Sequence, residues 1–127
     1  MQRVLILDDS EFIRRTYFLS LREGYRCDLA PDGVTGLALF RQALDQDDPY
    51  HFVLTDLTMP LGGIRTIQAM RTMERGRPDR RPVRILVVSS CADDPSLDSE
   101  LQGCEVSACL LKPVMPSELR SVLKLFD

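Results

Sequence analysis

The chain has 127 residues, 44% of them hydrophobic, and a net charge of −3. That size and apolar content suit one domain with one core over residues 1–127, and the acidic balance argues against a nucleic-acid surface, which shows a basic face. The longest apolar runs are far too short to span a membrane, and the N-terminus enters a strand-like run with no signal-peptide pattern, so a cytoplasmic protein is expected.

Residues 3–7 (Arg-Val-Leu-Ile-Leu) are apolar at consecutive positions, the mark of a strand buried on both faces of a parallel sheet. The run ends in Asp8-Asp9-Ser10. Ser10 is a good N-cap for a first helix, with Glu11 in its first turn. Phe12, Ile13, Tyr17, Leu19 and Leu21 are expected to supply its apolar stripe, and Gly24 to close it. Residues 25–30 read as a weaker second strand, and Pro31-Asp32-Gly33 as a turn. A second helix is predicted over 34–44, with Val34, Leu37, Ala38, Phe40 and Ala43 available for burial. Residues 45–49 (Asp-Gln-Asp-Asp-Pro) are a polar breaker.

A third strand over 52–55 leads to Asp56, and Met59-Pro60 and Gly62-Gly63 then break the chain. Ile64, Ile67, Met70 and Met73 repeat every three residues and predict a third helix with one core face. Residues 74–82 hold Arg75, Arg77, Arg80 and Arg81 among Gly and Pro. Without aromatics or periodicity, they read as an exposed, solvated basic loop. Residues 84–88 form a fourth buried strand, ending in Ser89-Ser90. Asp93-Asp94-Pro95-Ser96 suits the start of a short helix to about Gln102, stopped by Gly103. Residues 108–111 form a fifth strand ending in Lys112-Pro113. Pro116 then opens a last amphipathic helix with Leu119, Val122, Leu123 and Phe126.

Strands alternating with helices imply parallel strands, helices on both faces and right-handed crossovers. The four cysteines, Cys27, Cys91, Cys104 and Cys109, form no CxxC pair, and the single histidine, His51, is near none of them, so a zinc site is not expected. The thiols are expected to be reduced and mostly to fill core space. His51 is expected at a strand edge.

In such a sheet the carboxyl ends of the strands share one edge, where open α/β sheets place their ligands. Asp8-Asp9, Asp56, Ser89 and Lys112 therefore meet in one crevice. Three clustered carboxylates need a cation, and hard oxygen ligands suit Mg²⁺ (or Mn²⁺). Asp9 and Asp56 suffice as side-chain ligands, with Asp8 acting through water. A carboxylate can take a phosphoryl group as an aspartyl phosphate. Such a transfer needs little beyond positioning and charge neutralisation, which the metal, Lys112 and the Ser89 hydroxyl can supply.

The sequence resembles the receiver domains of bacterial two-component response regulators, of the chemotaxis-regulator type. The resemblance rests on Val4-Leu5-Ile6-Leu7-Asp8-Asp9-Ser10, Ala30-Pro31-Asp32-Gly33, Thr55-Asp56-Leu57-Thr58-Met59-Pro60, Val87-Val88-Ser89-Ser90 and Leu110-Leu111-Lys112-Pro113, in that order and across the whole chain. It implies a flavodoxin-like, doubly wound (βα)₅ fold with five parallel strands in the order 2-1-3-4-5. It implies Asp56 as phosphoacceptor, Asp8 and Asp9 as the acidic pair, and the Thr58 backbone carbonyl as a further Mg²⁺ ligand. Ser89 becomes the switch hydroxyl and Lys112 the phosphoryl contact, beside a Lys112–Pro113 bond that is usually cis. The implied partners are a sensor histidine kinase or phosphotransfer protein and a downstream protein effector or fused output domain. A homodimer is possible in the family, and the chemistry is that of a self-resetting switch rather than an enzyme acting on a substrate pool.

Several positions depart from the family pattern. Cys109 stands where receivers usually carry Tyr or Phe, so gating by an aromatic ring is not expected in its usual form. Ser89 replaces the commoner Thr but keeps the hydroxyl. The loop between Pro60 and Gly63 is one residue short, and the arginine-rich stretch is long. Thr58 and Cys91, two residues after Asp56 and Ser89, offer no acidic or amide group to position an attacking water, so the phosphorylated form is not expected to be unusually short-lived. The output surface is expected to be read differently from that of its relatives. A binding module that signals without phosphorylation is the main alternative, but the intact set of five site residues speaks against it. A Mg²⁺-dependent phosphohydrolase would carry a second Asp where Thr58 stands, and no phosphate-binding loop follows the first strand to suit a flavin.

Overall fold

The apolar runs form five strands: β1 (Gln2–Leu7), β2 (Tyr25–Ala30), β3 (Phe52–Asp56), β4 (Arg84–Ser89) and β5 (Ala108–Leu111). All pair in parallel in one sheet, in the order β2-β1-β3-β4-β5. The computed structural model describes residues 1–58, 62–90, 101 and 103–126. Four helices lie among these residues: α1 (Glu11–Leu21), α2 (Gly33–Asp45), α3 (Gly63–Arg75) and α4 (Pro116–Leu125). Apart from Leu101, the short helix expected from Asp93-Asp94-Pro95-Ser96 to about Gln102 lies outside the described residues, as do Met59, Pro60, Leu61 and Cys91. No helix among the described residues is long and apolar enough to cross a membrane.

The pleat sends alternate side chains to opposite faces, and the sheet is buried on both. On one face Leu5, Leu7, Val53, Ile85 and Val87 meet Phe40, Ala43 and Leu44 of α2 and Ile67 and Met70 of α3. On the other, Val4, Ile6, Phe52, Leu54, Leu86 and Val88 meet Tyr17 and Leu21 of α1 and Leu119 and Leu123 of α4. This two-sided burial is why β1, β3 and β4 read as unbroken apolar runs.

The helix starts follow local chemistry. Ser10 Oγ accepts the Ile13 N–H at 3.3 Å, and Asp32 Oδ1 accepts the Thr35 N–H at 2.7 Å. Pro116 occupies the first turn of α4. Gly62 has φ +83°, a left-handed value that disfavours side chains. A Cβ on Gly63 would lie 2.6 Å from the Asp56 carbonyl oxygen, so α3 can begin close against the end of β3 only with glycine there.

Some side chains face differently from the expectation. In α1 the buried row is Ile13, Tyr17 and Leu21, at four-residue spacing, which leaves Phe12 79% exposed and Leu19 53% exposed. In α2, Val34 and Ala38 are exposed, because the core-facing row runs through Gly36, Phe40, Ala43 and Leu44. Cys104 is buried and Cys27 half-buried, but Cys109 is exposed on β5. The basic stretch is not simply solvated. Arg77 and Arg80 are half-buried and pair with Asp45, the last residue of α2, and Asp47, just beyond it, tying the α3–β4 connection to that helix.

Arg71 of α3 is buried, a placement its sequence gives no sign of. Its guanidinium donates to the carbonyls of Cys104 (2.8 Å), Val83 (3.0 Å) and Glu105 (2.8 Å) and to Glu74 (2.6 Å). Glu74 in turn accepts the Val83 N–H at 2.6 Å. One arginine thus holds α3, the entry to β4 and the entry to β5 together, with its charge paired. Arg71→Leu would strand Glu74 and three carbonyls, and is expected to cost about 3–5 kcal/mol of unfolding free energy in urea titration. A loss under 1 kcal/mol would mean the region relaxes around the gap.

On the edge strand β2, Asp28 accepts hydrogen bonds from Arg3 (2.7 Å) and the Tyr50 hydroxyl (2.7 Å). Burial works to raise its carboxyl, but the Tyr50 and Arg3 bonds outweigh it and hold the group below the usual carboxylate range. A depressed folded value stabilises the protein above the unfolded value, near 4, and that contribution fades as pH falls through the folded one. The melting temperature of Asp28→Asn should therefore lie below wild type at neutral pH, with the gap closing in acid. A gap independent of pH would assign the loss to geometry rather than charge.

Candidate functional site

The apolar rows of β1 and β3 on the α1/α4 face run Val4, Ile6 and Phe52, Leu54. One pleat further along each row stand Asp8 and Asp56, so strand parity alone brings these carboxylates side by side. Asp8 is 1% and Asp56 2% exposed. Asp9, next in the chain, is exposed at the mouth. Oxygens of the three carboxylates all lie within 4.8 Å of one another.

Lys112 reaches in from the end of β5. Its Nζ donates to Asp56 Oδ2 at 2.7 Å and lies 3.7 Å from Asp8 Oδ2. The Lys112–Pro113 bond is cis, and the Lys112 N–H donates to the Ser89 carbonyl at 3.0 Å. Ser89, 4% exposed, closes β4 one position beyond the residue paired with Asp56. The five residues singled out by sequence therefore converge on one edge. Thr58, expected at the site through its backbone carbonyl, also donates to Asp56 Oδ1 twice, from its backbone N–H (3.1 Å) and its hydroxyl (3.0 Å), bonds that were not expected. Their sequence signal is a hydroxyl residue two positions after the carboxylate.

The charges are unevenly satisfied. Burial tends to raise the Asp56 carboxyl, but the Lys112 and Thr58 hydrogen bonds overcome it and hold the group below its usual range, so it is ionised. Burial also tends to lower Lys112, and its bond to Asp56 and the charges of Asp8, Asp56 and Asp9 overcome that, keeping the ammonium charged. Asp8 goes the other way. Burial raises its carboxyl, and Asp56 and Asp9 add to the rise against the pull of the Ser10 N–H and Lys112. Its Oδ1 accepts the Ser10 N–H at 2.9 Å, but among the described residues its buried Oδ2 has no hydrogen-bond partner, only the Lys112 ammonium at 3.7 Å. The Tyr17 hydroxyl is pushed up to about 12, by burial first and then by Asp8 and Asp56, and stays protonated. An orphaned buried carboxylate oxygen facing two further carboxylates suits a hard divalent cation with oxygen ligands.

The chain matches the family model of the response regulator receiver domain over residues 4–124. It belongs to that family. Its fold is that of chemotaxis protein CheY4 of Vibrio cholerae, at TM-score 0.83 and 26% identity, covering 100% of this chain and 99% of that one. A CheY-like receiver domain protein from Methanospirillum hungatei has the same fold at TM-score 0.77 and 21% identity, over 98% of this chain and 92% of that one. In sequence the chain is 27% identical over 125 residues to histidine protein kinase 1 of Candida albicans, covering 95% of this chain but only 5% of the kinase. The molecule is thus a receiver domain of two-component signalling, a class of switches rather than of substrate-turnover enzymes.

In this receiver, Cys109 pairs in register with Val87 and is exposed on β5, so no aromatic ring occupies that position beside Ser89. The clustered carboxyls repel one another, which predicts a stability cost. In metal-free buffer Asp8→Asn should be more stable than wild type by about 1 kcal/mol, because a buried carboxyl with a raised folded value loses stability as pH rises and it ionises. The gain should grow from acid to neutral pH in calorimetry. A destabilised Asp8→Asn would show that the charge at Asp8 is fully compensated.

Proposed function

We propose that Asp56 is the phosphoacceptor of a receiver spanning residues 1–127, in which Asp8, Asp9, Asp56 and the Thr58 backbone carbonyl hold Mg²⁺ (or Mn²⁺). The observation that carries this is the orphaned Asp8 oxygen in the three-carboxylate cluster, with the Lys112 ammonium 2.7 Å from Asp56. The bound cation would neutralise phosphoryl oxygens and relieve the repulsion among the carboxylates.

The remaining work belongs to the side chains. Lys112 and Thr58 keep the Asp56 carboxylate ionised and oriented, which is what a nucleophile requires. In the transfer, an Asp56 oxygen attacks phosphorus, the P–N bond of a phosphohistidine breaks, and the histidine leaves with its electron pair. Lys112 stays beside the new acyl phosphate as a point charge. Ser89 donates its hydroxyl to a phosphoryl oxygen, a contact available only after transfer, and so biases the conformational equilibrium. The partners on this reading are a sensor histidine kinase or phosphotransfer protein and a downstream effector or fused output domain. Lacking a ring at Cys109, the receiver would pass the Ser89 movement to β5 through backbone, which lends its output surface a different reading.

Intact-mass analysis after incubation with acetyl phosphate and Mg²⁺ tests this. Wild type should gain a single base-labile phosphoryl group. Asp56→Asn should gain none, and Asp9→Asn should require roughly tenfold or more Mg²⁺, as loss of one charged ligand implies. Absence of any adduct with excess donor and metal would sink the proposal and favour a receiver that signals by protein contact alone.

A further inference from the structure

The opposite edge of the sheet carries a second charged feature that the receiver function does not use. A cavity of about 340 Å³ opens there, beside Phe52 and Arg84 at the starts of β3 and β4. Among the described residues its charged lining is Arg80, Arg81 and Arg84, with His51 and Tyr50 as further titratable groups and no carboxylate. That is a strong local excess in a chain of net charge −3.

The arginines are not equally committed. Arg80 pairs with Asp47, which lies outside the cavity. Arg81 is exposed and makes no ion pair or side-chain hydrogen bond among the described residues. The Arg84 guanidinium lies 5.5 Å above the Phe126 ring and likewise has no acidic partner among them. His51 accepts the Arg3 backbone N–H on Nδ1 at 3.0 Å, so in the neutral ring Nε2 carries the proton and is a donor. Phe126, Pro49 and Pro82 supply apolar wall.

We propose that this cavity binds a small organic phosphate. Guanidinium forks match phosphate oxygens. A phosphate carries close to −2 and three acceptor oxygens on one compact centre, so a single group can meet both arginines with more charge than a carboxylate brings. The volume lies at the small end of ligand pockets, which fits a molecule of nucleotide size with its apolar part against Phe126 and the prolines. The cavity opens at the amino ends of β3 and β4, whereas Asp56 ends β3. A ligand there would not compete for the acidic centre.

The test is an amide-resolved NMR titration of the whole chain in EDTA, with ADP and with pyrophosphate as probes. EDTA keeps metal-bridged binding at the acidic edge from contributing. Saturable shifts at Gln2, His51, Arg81 and Phe126 are expected, with ADP binding more tightly than pyrophosphate. Arg81→Gln and Arg84→Gln should each weaken ADP by about tenfold, the loss of one charged hydrogen-bonded contact, while Arg22→Gln, on the exposed end of α1, should change nothing. Because Arg81 has no structural partner among the described residues, its variant should fold as wild type, and its spectrum before titration verifies this. Shifts confined to Asp8, Asp9 and Asp56, a linear response without saturation, or equal ADP affinity in the two cavity variants would overturn the proposal. Pyrophosphate binding as tightly as ADP would overturn the organic part of it.

Discussion

The contact between Lys112 and Asp56 is the interaction on which this structure turns. Two buried carboxylates are carried to one spot by the parity of adjacent parallel strands, and a third sits at the mouth. Removing such charges from water costs several kcal/mol each unless they are paired. One ammonium, 2.7 Å from Asp56 and 3.7 Å from Asp8, can pair fully with only one of them. The asymmetry in the two carboxyls follows directly: Asp56 is pulled below its ordinary range and Asp8 pushed above it. The cluster survives because the sheet beneath it is packed on both faces and cannot open to let the carboxylates separate.

Much of this was legible in the sequence because the strands are buried on both sides. A doubly buried strand must be apolar at consecutive positions, so the point where polarity resumes marks the strand end, and in a parallel sheet all those ends lie together. Asp8, Asp56, Ser89 and Lys112 were found that way. What was not legible depends on rotation and reach. Phe12 is the more apolar of the two rings, yet it is Tyr17 that the packing of α1 places inside. Arg71 looks like any arginine on a helix, yet it binds carbonyls 12, 33 and 34 residues away in sequence. Arg77 and Arg80 looked solvated because their acidic partners, Asp45 and Asp47, stand more than 30 residues earlier. The Thr58 hydroxyl bond to Asp56 needs only two residues, but a turn of known shape is required before it can be read.

The Arg71 hub bears on how a change at the acidic edge would travel. β5 is an edge strand held on one side by β4, and its entry is pinned through the Cys104 and Glu105 carbonyls to α3. Its exit is tied to Ser89 by the Lys112 N–H. A shift at Ser89 therefore acts on a strand fixed at its start, and the freedom lies at the Lys112 end. With Cys109 in place of a bulky ring, little side-chain volume is there to move, and backbone displacement is the remaining means of transmission.

The two charged edges are well separated. β3 has five residues, and at about 3.3 Å per residue its ends lie roughly 15 Å apart. The Debye length at physiological salt is about 8 Å, so salt weakens the field that exposed arginines at the amino edge set up, although Asp56 is buried and the core between them screens little. A charge arriving at either edge acts on the other through packing more than through potential. β3 and β4 are the direct mechanical route, since Phe52 pairs with Arg84 at one end and Asp56 with Val88 at the other. Both strands are rigid and fully engaged, which makes them poor two-state elements. The geometry thus favours two independent sites on one sheet, each set by its local residues, over a single electrostatic circuit.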